Sequence, residues 1–112
     1  MIRSASPSVL FHQGQIVSHQ RYGYRGVIVD YDLFCMAPDS WYQGNQTQPE
    51  RNQPWYHVLV DGGAEVTYAA QTSLEEADEV GPVDNPLVDA FFSEFNGEKY
   101  IRNDRKWPGT WK

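Results

Sequence analysis

The chain has 112 residues, with nine Lys and Arg against fifteen Asp and Glu and a formal net charge of −6. That length suits one domain able to bury roughly two-thirds of its unfolded surface, and a hydrophobic share of 40% with 4 Trp, 7 Tyr and 5 Phe excludes a disordered chain. The acidic balance has the wrong sign for a protein that neutralises many phosphates, so nucleic acid as a partner requires the bases to be segregated on one face.

Residues 1–10 are small and polar, with Pro7 interrupting, and read as a flexible leader. The domain spans 11–103, its ordered backbone starting near Gly14, and 104–112 form a C-terminal arm. Gln-Ile-Val-Ser-His from Gln15 is a first strand, Gln20 to Gly23 supplies a turn, and Tyr24 to Tyr31 is a second strand. Val27 and Val29 point to one face and Ile28 to the other, so that strand is apolar on both sides and sits centrally.

Residues 33 to 54, with Pro38, Pro49, Pro54 and Gly44, form a long connection of the kind compact domains keep for a purpose. Pro38 to Tyr42 suits one helical turn that either pins Trp41 to the core or presents it to a partner. Trp55 to Val60 is a third strand, Asp61-Gly62-Gly63 a hairpin turn, Glu65 to Ala69 a fourth strand, and a short fifth element falls near Ser73 to Glu76. This set predicts a mainly β fold, a small SH3-like partly open barrel of about five strands with a long loop. Asn85-Pro86 followed by Leu87, Val88, Phe91, Phe92 and Phe95 predicts one C-terminal helix of about ten residues, stopped by Asn96-Gly97, whose apolar stripe closes one mouth of the barrel.

Charge is uneven. Asp61 to Glu94 holds nine acids and no Lys or Arg, whereas residues 95 to 112 hold five bases and two acids. Lys99, Arg102, Arg105, Lys106 and Lys112 interleave with Tyr100, Trp107 and Trp111, a pattern that suits either base stacking and phosphate contact or a solvated tail.

Catalytic chemistry has little support. Cys35 lies in apolar Leu-Phe-Cys-Met, a setting that raises a thiol pKa, and reads as core filling. His12, His19 and His57 lack the spacing of a metal site, and no second Cys completes a zinc set, so neither metal nor cofactor is expected and the chain reads as a non-enzyme. A lone Cys fits a reducing compartment, and the first fifteen residues lack the apolar core of a signal peptide. No stretch nears the ~20 apolar residues of a membrane span, so a cytoplasmic location without membrane contact is expected.

The run Tyr22 to Val29, with His19, Asp32, Cys35, Trp41, Gln53 to Val60 and Thr67-Tyr68, resembles the YccV-like domain, the hemimethylated-DNA-binding or heat-shock-protein-Q-like family. The likeness covers about Phe11 to Asn103, and Pro86-Leu87-Val88 with Tyr100 to Asn103 resemble its extended form. It implies an SH3-like barrel without catalytic residues, and two roles: binding double-stranded DNA methylated on one strand, or helping a protease select substrate proteins. Relatives are also found fused to protein-quality-control modules.

The candidate contact residues are an aromatic and basic rim, Arg21, Tyr22, Tyr24, Arg25, Trp41, Trp55 and His57, joined by Arg102, Arg105 and Lys106. A DNA partner would use the bases; a protease or its substrate would use the aromatics, with the acidic 61–94 stretch repelling polyanions.

Overall fold

A computed structural model describes residues 8–108. Strands β1 (Ile16–His19), β2 (Arg25–Asp32), β3 (Trp55–Val60), β4 (Val66–Ala70) and β5 (Leu74–Glu76) form one antiparallel sheet in the order β4-β3-β2-β1-β5. The sheet curls without closing, which is the partly open, mainly β barrel expected. A single 3-10 turn, Gln71–Ser73, swings the chain from β4 across to β5 at the opposite edge. The long loop carries α1 (Asp39–Gln43).

The expected C-terminal helix is present but short. α2 covers only Val88–Phe91, and the chain then extends as β6 (Phe92–Phe95), which pairs with β7 (Tyr100–Arg102). Burial explains the switch. Phe91 and Phe92 are consecutive, yet both are 5% exposed within one cluster. Turning extended after Phe91 lets both enter it. Asn96-Gly97 therefore serves as a hairpin turn and not as a helix stop: Gly97 has φ +99°, and the Asn96 carboxamide oxygen accepts the Glu98 and Lys99 amides.

Both faces of the sheet are covered. Ile16, Val27, Val29 and Leu59 face Val83, Val88, Phe91, Phe92 and Tyr100, while their alternates Val17, Ile28 and Val58 face Phe11, Tyr56, Ala69 and Leu74. Burying each such aliphatic side chain stabilises the fold by about 1.5–3 kcal/mol. The β2–β3 register slips between Ile28 and Asp30, which makes Val29 the extra residue of a bulge.

Packing begins at Phe11, ahead of Gly14. Its amide donates to the Tyr56 hydroxyl, which in turn donates to Gln71 Oε1. Of the expected leader, Ser8 and Leu10 are bonded through their backbones to the Gln71 side chain, and residues 1–7 lie outside the described residues. Trp111 and Lys112 of the expected arm lie outside them too.

Candidate functional site

One end of the site is the β1–β2 turn. Gly23, at φ +75°, lets the chain reverse so that its own amide bonds the His19 carbonyl and the His19 amide bonds the Tyr24 carbonyl. His19 Nδ1 accepts the amides of Arg21 and Tyr22 at 3.2 and 3.1 Å, and its ring stacks on Tyr22 at 4.6 Å. Burial, and then the neighbouring Arg21 charge, lower the His19 pKa, in keeping with an imidazole that accepts backbone bonds. The Tyr24 hydroxyl lies 2.7 Å from Thr67 Oγ1 on β4.

The other end is built by the long loop. Cys35, Ala37, Trp55 and Ala70 form a small core of their own, against which Trp41, Tyr42 and Tyr68 pack. Arg51 holds this loop together: it donates to the carbonyls of Cys35 and Ala37, pairs with Asp39 at 3.3 Å and lies over the Tyr42 ring. Trp41 crosses Trp55 at 6.1 Å and Tyr68 at 5.7 Å. The loop then reaches back to the first turn, where the Tyr22 hydroxyl donates to Gln46.

Asp32, His57 and Tyr68 link the two sides of the sheet edge. Tyr68 donates to Asp32 Oδ2 at 2.6 Å and accepts the Met36 amide, while His57 Nε2 stands 3.5 Å from the same carboxylate oxygen. Burial lowers the His57 pKa in spite of Asp32 and Asp30, and burial first, then the Asp32 bond, raises that of Tyr68. Trp107 lies between His57 and Phe91, tilted against the first ring and edge-on to the second, and its buried indole N–H has no hydrogen-bond partner among the described residues.

These groups line a cleft of about 840 Å³. Its walls are His19, Tyr22 and Tyr24 on one side and Trp41, Tyr68, His57 and Trp107 on the other, with Glu65 to Ala70 running between them. Among the described residues, no Lys or Arg lines it, and Glu65 is the one acid that does. Such walls bind through stacking, apolar contact and cation attraction to ring faces.

The structure separates the sequence-derived rim into four groups. Tyr22, which is exposed, and the half-buried Tyr24 and Trp41 line the cleft, whereas Trp55 and His57, 2% and 6% exposed, form its floor. Arg25 and Arg102 are committed elsewhere. Arg25 donates to the carbonyls of Glu79, Gly81 and Pro82 and pairs with Asp61 at 3.1 Å. Arg102 donates to Gln13, Val29, Phe91 and Arg105. Arg21, Arg105 and Lys106 are exposed.

Sequence reasoning passes over Tyr68 and Glu65 as contact residues, and weighs Trp107 only within a C-terminal arm that either stacks bases or is solvated. Tyr68 alternates with Val66 along β4, which marked it as facing one side of the sheet; nothing local placed Trp107 against β3. Among the described residues there is no cluster of three His, Cys, Asp or Glu able to hold a metal, and no helix long and apolar enough to cross a membrane.

The profile of the family described as hemimethylated DNA-binding protein YccV-like matches residues 9–99. Curated relatives include the F-box only protein 21 of Homo sapiens and of Pongo abelii, each 39% identical over 98 residues, and that of Mus musculus at 38%. The alignments cover 85% of this chain but only 15% of the human protein and 16% of the other two, so the chain spans about a sixth of the relatives it matches. No solved structure matches.

Proposed function

The chain belongs to the YccV-like family, and from that premise we propose that it is a non-catalytic binding module whose aromatic cleft takes up a segment of a partner protein, such as a protease or a substrate delivered to one. The observation that carries this reading is the lining of the cleft, which is mainly aromatic and apolar, with neutral polar groups such as Asn45 and Thr67 and with Glu65 as its acid. A phosphate backbone gains nothing from such walls, whereas apolar, aromatic or cationic side chains do. The relatives carry the matching domain as a small part of a longer chain, which suits a recognition unit. A buried Cys35 suits work in the reducing cytoplasm.

Duplex DNA is the second reading, favoured by the family description and by exposed Arg21, Lys99, Arg105 and Lys106. Parallel titrations separate the two. An array of short random peptides and a hemimethylated duplex are each probed with the wild-type chain, with Trp41→Ala, and with Arg105→Ala/Lys106→Ala. The protein reading expects peptide binding that Trp41→Ala abolishes and the double variant leaves intact. Duplex binding that falls steeply with salt and is lost in the double variant, with no peptide selected, would replace it.

A further inference from the structure

We propose that a recess adjoining the cleft, between the β1–β2 turn and the 3-10 turn, is a carboxylate site, and that it receives an acidic group of the partner segment whose apolar residues occupy the cleft. This inference rests on the reading of the cleft as a protein-binding site and names what the occupant must carry at one end.

The recess, of about 410 Å³, shares His19, Thr47, Pro49 and Ser73 with the cleft, so one ligand can span both. Its frame is fixed from two sides. The Gln20 amide bonds the Ser73 carbonyl at 2.8 Å and the Gln20 carboxamide donates to the Leu74 carbonyl at 2.9 Å, which ties the β1–β2 turn to the 3-10 turn. The Tyr22 hydroxyl, bonded to Gln46 at 3.2 Å, ties the same turn to the long loop.

His19 supplies the observation that points to a ligand. It is only 7% exposed. Because its Nδ1 accepts the Arg21 and Tyr22 amides, the proton of the neutral ring sits on Nε2. Its lowered pKa keeps the ring in that donor form near neutral pH. The Nε2–H bonds no described residue, yet it is not sealed from solvent as the Trp107 indole N–H is. An otherwise buried ring thus opens its one unsatisfied donor onto the recess and the adjoining cleft, which are the spaces it lines.

The other polar groups of the recess suit the same ligand. The Arg21 guanidinium leans over the Tyr22 ring at 5.9 Å and pairs with no acid among the described residues. The hydroxyls of Thr47, Thr72 and Ser73 bond no described residue. Among the described residues no acid lines the recess, in a chain that has fifteen. One guanidinium with imidazole and hydroxyl donors matches the single charge and two oxygens of a carboxylate. Phosphate recognition gathers several bases, and Glu75 and Glu76, exposed on β5 directly after Leu74, repel a chain of phosphates.

The test uses the random peptide array printed twice, with free and with amidated C-termini, and probed with the full chain. Selected peptides are resynthesised with each Asp replaced by Asn and each Glu by Gln. Affinities are measured for the wild type, Arg21→Ala and Ser73→Ala, and the His19 ring nitrogens are followed by NMR. The carboxylate site expects every selected peptide to carry an acid whose neutralisation weakens binding roughly tenfold or more. Loss on amidation assigns a terminal carboxylate, and loss on the Asn or Gln exchange assigns a side chain. Arg21→Ala, at an exposed position, should melt as the wild type does, bind the acidic peptide roughly tenfold more weakly and bind the neutralised peptide unchanged. The His19 Nε2 resonance should shift with the acidic peptide and not with the neutralised one. Peptides selected without regard to charge, and bound equally by the wild type, Arg21→Ala and Ser73→Ala, overturn the carboxylate site and leave the protein-binding reading standing. No selected peptide, with the duplex bound instead, overturns both. Inorganic phosphate that displaces the acidic peptide at concentrations where acetate does not overturns the carboxylate in favour of a phosphate group.

Discussion

Arg102 reaches from β7 to place its Nε 3.1 Å from the carbonyl oxygen of Val29. That carbonyl belongs to the bulge residue of β2, which the β2–β3 register leaves without an opposite residue. The same guanidinium donates to the carbonyls of Phe91 and Arg105, so one side chain fastens the central strand of the barrel to α2 and the segment beyond β7. A rim base, as the sequence suggests it, is in the structure a buckle between two layers.

Arg102→Ala removes charge-assisted bonds to several carbonyls and should destabilise the fold by about 2–3 kcal/mol. Arg102→Lys keeps the charge but not the fork, and should recover only part of the loss. Arg105→Ala, at an exposed side chain, should stay within about 0.5 kcal/mol of wild type. Urea denaturation ranks the three; equal stability of Arg102→Ala and Arg105→Ala would deny the buckle.

Glycine positions give a second ranking. A Cβ on Gly14 would sit 1.9 Å from the Tyr100 carbonyl oxygen, at a φ of +92°. Gly14→Ala should therefore cost about 3 kcal/mol or more, through both clash and left-handed strain. At Gly62, φ is also positive but the space is open, so Gly62→Ala should cost about 1–2 kcal/mol. Gly63→Ala, with neither burden, should be nearly neutral. Thermal melts that fail to follow this order would refute the close approach of β7 to Gly14.

The strands were legible because their signals are local. Valine alternation around Ile28 implies a strand covered on both faces, and Asp61-Gly62-Gly63 implies the hairpin; the structure has both. Phe91 to Asn96 misled, because apolar spacing at i and i+4 also fits two adjacent phenylalanines that enter one core from an extended chain, and Asn-Gly serves helix ends and hairpins alike. For the site, aromatic residues were the sound half of the reading. What a guanidinium will bond depends on carbonyls 54 to 57 positions away for Arg25 and 73 for Arg102, and no local pattern records such partners.

Stability should fall below neutral pH, and His57 should carry much of the fall. Burial holds its pKa below the ordinary 6.5, so the folded chain takes up that proton less readily than the unfolded chain. Protonation therefore favours unfolding: this contribution is complete above about pH 6.5 and is lost as pH drops through that value toward the lowered folded pKa. His19, shifted the same way, adds to it. His57→Gln should flatten the decline in melting temperature on acidification. Parallel curves for the variant and the wild type would exclude His57 as the source.

Asn85 offers the opposite pH signature. It is 5% exposed, its carboxamide N–H₂ donates to the Val60 and Glu65 carbonyls at 2.9 and 3.2 Å, and its oxygen accepts the Leu87 amide at 2.9 Å. It thereby pins the end of the β3–β4 hairpin, next to Glu65 at the mouth of the cleft, to the start of α2. Asn85→Ala strands these buried groups and should cost about 2–3 kcal/mol. Asn85→Asp is worse near neutral pH, since a carboxylate would face two carbonyl oxygens with nothing to donate. Its proton would be held more tightly folded than unfolded, because the protonated acid can donate to one of them, so this variant should gain stability relative to Asn85→Ala as pH falls. Melting curves of the two variants that converge on acidification, superposed on the shared histidine-driven decline, would locate the donor role at this side chain; curves that keep a constant gap would remove it.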